Sequence, residues 1–130
     1  MKKKILFVCK YNRFRSRIAE AYFNKINKNK NIIAKSAGII RGNSLDSKLI
    51  NLAKKFGLNI RGKPKNLSID LLKWQNMIVV VADNVPASLF KKRWARGKKL
   101  IIWKIPDREE SVKPIIKKVN KLLRQFGEEV

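Results

Sequence analysis

At 130 residues the chain has room for one hydrophobic core and reads as a single domain, residues 1–130. It has no histidine and one cysteine, which removes Ser-His and Cys-His catalysis, imidazole metal sites, internal disulfides, Cys-x-x-Cys pairs and thiolate zinc clusters. Lys plus Arg number 32 against 9 Asp plus Glu, a net charge of +23 whose field attracts polyanions and speeds the arrival of phosphorylated substrates; a solvated lysine-rich surface is the plainer source of the same charge.

In chain order, Met1-Lys2-Lys3-Lys4 imitates the start of a signal peptide, but the apolar stretch behind it stops at Lys10 after five residues, too few for an h-region. Lys4 to Val8 reads instead as a strand, and Ser16 to about Asn27 as a helix with Ile18, Ala21, Tyr22 and Ile26 on one face. A second strand follows at Ile32 to Ser36. The next helix starts near Ser44 or Leu45, buries Leu49, Leu52, Ala53 and Phe56, and stops at Gly57. Arg61 to Asn66 is a turn-rich connection, and Ser68 to Trp74 a short helix. Met77 to Ala82 is the third strand. A helix is expected after Pro86 with Asp83 or Asn84 as its cap, then a fourth strand at Leu100 to Ile105 and a last helix over Ser111 to Phe126 with Pro114 in its opening turn. Each strand is a short apolar run of the kind buried on both faces of a parallel sheet. Strands alternating with helices imply right-handed crossovers and an open α/β sheet. With no apolar run long enough to span a membrane, the chain is expected to be cytoplasmic, soluble and reduced.

The chemistry concentrates where the first strand meets the first helix: Val8-Cys9-Lys10-Tyr11-Asn12-Arg13-Phe14-Arg15-Ser16. Five residues between Cys9 and Arg15 suffice for one tight loop with inward N–H groups, and the positive end of the helix beginning at Ser16 faces the same point. A tetrahedral oxyanion fits there. The same field favours a thiolate, which makes Cys9 a nucleophile, and the planar fork of Arg15 can grip two oxygens of a phosphoryl group. A lone cysteine after a strand is in general a small buried hydrophobe; the Arg-Ser at this spacing reverses that reading. Active sites on open α/β sheets lie beyond the carboxyl ends of the strands, where Cys9 falls.

Taken together, Val8-Cys9-x5-Arg15-Ser16, Ala19-Glu20-Ala21, Ser36-Ala37-Gly38 and the late Asp107 resemble the low-molecular-weight protein tyrosine phosphatase family, which shares its fold with thioredoxin-type arsenate reductases. The resemblance implies an α/β fold of the flavodoxin-like phosphatase kind: three layers, with a four-stranded parallel sheet and helices on both faces. It also implies a hydrolase without metal or cofactor, acting on a phosphorylated protein or small aryl phosphate and inhibited by oxyanions such as phosphate. Cys9 would form a phosphocysteine, and Arg15 with the loop residues Lys10, Tyr11, Asn12, Arg13, Phe14 and Ser16 would bind the phosphate. Asp107 would be the general acid and then the general base. Asn12 matches a loop asparagine that tolerates left-handed backbone, Ser16 would donate to the sulfur, and Ser36 would brace the loop.

Three positions depart from the family pattern. Tyr11 stands where glycine is usual, Asp107 precedes Arg108 and not proline, and Arg41-Gly42-Asn43 and Arg108-Glu109-Glu110 occupy the stretches that usually carry aromatic residues. Tyr11, Phe14 or Trp103 could supply a stacking surface or simply pack. Of the four aspartates, Asp46 and Asp70 fall in helix starts and Asp83 reads as a cap, which leaves Asp107 on a free loop. Two other functions remain open. An arsenate reductase would need an external thiol to complete its cycle, since there is no second cysteine. A polyanion- or nucleic-acid-binding module with reduced catalysis would use Lys91, Lys92, Arg93, Arg96, Lys98 and Lys99 around Trp94; a solvated turn explains the same residues.

Overall fold

The computed structural model describes residues 3–40, 42–90 and 98–127. The four apolar runs form β1 (Lys3–Cys9), β2 (Ile32–Gly38), β3 (Met77–Val81) and β4 (Lys99–Trp103), paired in the order β2-β1-β3-β4 and parallel throughout. β1 and β3 are the inner strands. Every residue of β3 is buried, as is β1 from Ile5 onward, whereas β4 at the edge is largely half-exposed. The expectation of strands buried on both faces therefore holds for the two strands with neighbours on both sides.

The helices are α1 (Arg15–Ile26), α2 (Ser47–Lys55), α3 (Ile69–Trp74) and α4 (Val112–Gly127). On one face Phe7, Val79, Val81 and Trp103 pack with Ile18 and Phe23 of α1, Ala53 of α2, and Val112, Ile115 and Val119 of α4. Phe7 sits at the centre, 5.9 Å from the Phe23 ring and 6.0 Å from Trp103. The opposite face carries Leu6, Val8, Ile78 and Val80 against Leu72 of α3 and Phe90. These are the three layers that the family resemblance implied, built on the open α/β sheet expected from the alternation of strands and helices. Trp103 belongs to the core and packs there, while Phe14 is buried in the same core and also borders the cavity described below.

Capping follows side-chain chemistry. Asp46 accepts from the Leu49 N–H and Ser68 from the Leu71 N–H, so Asp46 is the residue before α2, not inside its start. No side chain caps α1. Several boundaries differ from expectation: α2 starts at Ser47, two or three residues late, and β2 runs on to Gly38. β4 stops at Trp103 because the Ile105 N–H turns back to the Trp103 carbonyl ahead of Pro106, which has no N–H for a ladder. After Pro86 the chain forms a short 3-10 helix, Ala87–Phe90, and Asp83 does not serve it as a cap; it meets Arg15. A second 3-10 turn, Glu109–Ser111, precedes α4, and Pro114 lies in the opening turn of α4. The expected cation cluster lies largely outside the described residues: of its members only Lys98 and Lys99 are described. Among the described residues no helix is long and apolar enough to cross a membrane.

Candidate active site

The order β2-β1-β3 reverses the direction of winding at β1, and the crevice beyond the carboxyl ends of β1 and β3 opens there. Cys9 is the last residue of β1, and the loop 10–14 carries the chain into α1. Register holds this loop against β2. The Ile39 and Ile40 N–H groups donate to the Cys9 and Lys10 carbonyls, and Gly38 lies so close that a Cβ there would fall 2.7 Å from Tyr11 C and 2.8 Å from Asn12 N.

Asn12 organises the loop. It is fully buried with φ 53°, left-handed backbone that asparagine tolerates better than most residues. Its Oδ1 accepts from the Lys65 N–H at 2.9 Å, which fixes the amide orientation, so Nδ2 must donate: to Ser16 Oγ at 2.8 Å and to Ser36 Oγ at 2.9 Å. Ser36 in turn donates to Glu20 at 2.6 Å. With its oxygen accepting from Asn12, the Ser16 hydroxyl proton is free to point at Cys9 Sγ, 2.9 Å away. The Ser16 N–H reaches the same sulfur at 3.5 Å. Cys9 is 2% exposed, yet its sulfur faces hydrogen-bond donors and is not enclosed by hydrocarbon alone.

Arg15 is also 2% exposed and stretched to the far side of the crevice. Nη1 donates to the Ile105 carbonyl at 2.9 Å and Nη2 to Asn84 Oδ1 at 3.1 Å; Asp83 lies 3.5 Å from Nη1 and Asp107 3.8 Å from Nε. The guanidinium is thus fixed by the loops after β3 and β4. A cavity of about 280 Å³ is lined by Cys9, Tyr11, Arg13, Phe14, Arg15 and Asp107, with Asp46, Lys48 and Glu109 along its wall. Tyr11, 38% exposed, stands at its rim beneath the Lys10 ammonium. Arg13 pairs with Asp46 at 3.7 Å and donates to the Ser44 carbonyl. Lys48 bonds Glu109 at 2.9 Å, joining α2 to the loop that carries Asp107, and that hydrogen bond raises the Lys48 ammonium above the ordinary lysine value.

Cys9, Arg15 and Asp107 therefore line one cavity at the carboxyl end of the sheet, and Asn12 and Ser16 are hydrogen-bonded to each other beside Cys9. Sequence reasoning missed Asp83, Asn84 and the Ile105 carbonyl as partners of Arg15. Asp83 was set aside as a cap, although its place just past the end of β3, beside the end of β1, was a signal. Arg17 was missed as well. Buried to 5% exposure, it donates to the successive carbonyls of Arg61, Gly62 and Lys63, and burial lowers its proton affinity while Glu20 and then Cys9 act in the other direction. The described residues contain no group of three or more His, Cys, Asp or Glu placed to hold a metal. A sulfur with two donors, a fixed guanidinium and an exposed carboxylate around one cavity are equipped for nucleophilic chemistry at an anionic centre.

The chain belongs to the low molecular weight phosphotyrosine protein phosphatase family, whose model matches residues 4–129. Solved structures of both phosphatases and arsenate reductases share its fold. The Streptococcus pyogenes low molecular weight protein tyrosine phosphatase superposes with a TM-score of 0.81 at 21% identity, over 95% of this chain and 92% of the other. An arsenate reductase from Archaeoglobus fulgidus gives 0.72 at 27% identity, over 91% and 97%. The thioredoxin-dependent arsenate reductase of Corynebacterium glutamicum gives 0.79 at 21%; this chain is covered over 99% of its length but spans only 64% of that protein. No curated protein matches.

Proposed function

We propose that the protein is a cysteine-dependent phosphomonoester hydrolase working through a phosphocysteine. Cys9 Sγ attacks phosphorus; as the S–P bond forms, the bond to the leaving oxygen breaks and Asp107 gives that oxygen its proton. The Asp107 carboxylate then takes a proton from water, whose oxygen bonds phosphorus while sulfur departs. Arg15 and the N–H groups of the loop 10–14 hold the equatorial oxygens, and Ser16 stabilises the sulfur as it leaves. The observation that carries this reading is the convergence of Cys9, Arg15 and Asp107 on one cavity, with the Ser16 hydroxyl directed at the sulfur.

Substrates of the aryl phosphate class suit this cavity, at the small end of ligand sites, with phosphotyrosine the form the family description suggests. Tyr11 is the aromatic side chain at the rim able to flank a ring, since Trp103 is in the core. Phosphate and related oxyanions compete for the loop, and the working compartment is a reducing cytoplasm. The test is hydrolysis of aryl phosphates by wild type, Cys9→Ser and Asp107→Asn. Cys9→Ser should lose turnover and keep phosphate binding; Asp107→Asn should fall by roughly two to four orders of magnitude with a poor leaving group and far less with a good one. Unchanged rates in both variants would end the proposal.

Arsenate reduction is the second reading, favoured by the reductases among the similar structures. The chain's one cysteine makes an external thiol obligatory for it. Arsenate-dependent consumption of added thiol by the purified protein would support it.

A further inference from the structure

A second concave site lies behind the catalytic loop, between α1 and the connection that follows α2. Its volume is about 650 Å³, within the range of small-ligand pockets. Arg17, Lys25, Arg61, Lys63 and Lys65 line it against a single carboxylate, Glu20. These cations are not equivalent. Lys65 pairs with Glu20 at 3.8 Å, Lys25 donates to the Gly57 carbonyl at 2.9 Å, and buried Arg17 is spent on the carbonyls of residues 61–63. Arg61 and Lys63 are exposed and have no carboxylate within ion-pairing distance among the described residues.

The backbone adds to this. The carbonyls of Arg61, Gly62 and Lys63 are all taken by Arg17, while the N–H groups of the same three residues donate no hydrogen bond among the described residues. Gly62 has φ +87° with open space around it. A turn with its acceptors occupied, its donors free and two unpaired cations beside them has the donor-rich chemistry that binds anions.

We propose that this cavity is a second anion site, separate from the Cys9 loop, that takes a polyphosphate chain, either inorganic or borne by a nucleoside. The free N–H groups and the Arg61 and Lys63 side chains contact its oxygens. The proposal is independent of the phosphatase reading.

The test is calorimetric titration of the full chain at fixed ionic strength with inorganic triphosphate, ATP and adenosine. Two variants of equal net charge are compared: Arg61→Gln with Lys63→Gln, and Lys118→Gln with Lys121→Gln on the exposed side of α4. All four side chains are exposed, so both variants should melt with the parent. Triphosphate and ATP should bind and adenosine should not. The first variant should lose about tenfold in affinity while the second changes by less than about twofold. Equal affinities for triphosphate and ATP assign the site to the phosphate chain alone, and tighter binding of ATP assigns it to a nucleotide. Equal weakening in the two variants means a diffuse field and overturns the site. So does triphosphate affinity unchanged in the Arg61→Gln, Lys63→Gln variant, or binding of adenosine as tight as that of ATP.

Discussion

At the scale of single residues, Asn12 is the hinge on which the thiol depends. It supplies a left-handed backbone and three hydrogen bonds, one of which turns the Ser16 hydroxyl toward Cys9. Two substitutions separate these contributions. Asn12→Gly loses the hydrogen bonds alone and should cost about 1–3 kcal/mol in urea unfolding, because the Lys65 N–H and Ser36 lose a buried partner. Asn12→Ala should cost about 1 kcal/mol more, the penalty of a Cβ at positive φ. If the two variants unfold alike, backbone conformation is not what selects asparagine here. Arg17 can be measured the same way: Arg17→Met removes the clamp on three carbonyls and should destabilise by about 1–3 kcal/mol. Much of this was legible in the sequence. Cys9, Arg15 and Ser16 announce themselves by spacing, and Asn12 only through the family resemblance, as a loop asparagine that tolerates left-handed backbone. The partners of Arg15 did not, because Asn84 and Ile105 stand 69 and 90 residues away and one of them contributes only a carbonyl.

Among elements, α2 and the Asp107 loop are joined by Lys48 and Glu109. Hydrogen bonding raises the Lys48 ammonium above the value it has in the unfolded chain, so the pair's contribution is complete below the ordinary lysine value and is lost as pH climbs through the raised one. Nitrogen-15 NMR should find the Lys48 amine titrating above free lysine in the wild type and lower than that in Glu109→Gln. Both side chains are well exposed, so the tie is weak and salt-sensitive. The four strands and four helices were readable from periodicity, with ends within a residue or two for β1, β2 and β3. The end of β4 was not, since its last ladder bond is lost to a local turn that apolar content does not encode. The 3-10 helix after Pro86 likewise follows from local hydrogen bonding, such as the Leu89 N–H to the Pro86 carbonyl, and not from pattern.

For the whole molecule, a charge of +23 sets the terms of encounter. If the proposed hydrolysis operates, kcat/KM for a dianionic aryl phosphate should fall by about tenfold between low and high salt while kcat holds, because the long-range field acts on arrival and not on the bound complex. A flat profile would assign the lysines to solubility alone. The order β2-β1-β3-β4 brings segments far apart in sequence to one crevice, and Arg15 shows how far that reaches: its guanidinium is aimed by groups 69 and 90 residues further along the chain. During synthesis the strand bearing Cys9 leaves the ribosome long before Asn84 and Ile105, so a nascent fragment carries the sulfur without the arginine's anchors. Arg15 can therefore take its observed place only once translation has passed residue 105, whereas the Ser16 donors to the sulfur come from the same early segment as Cys9.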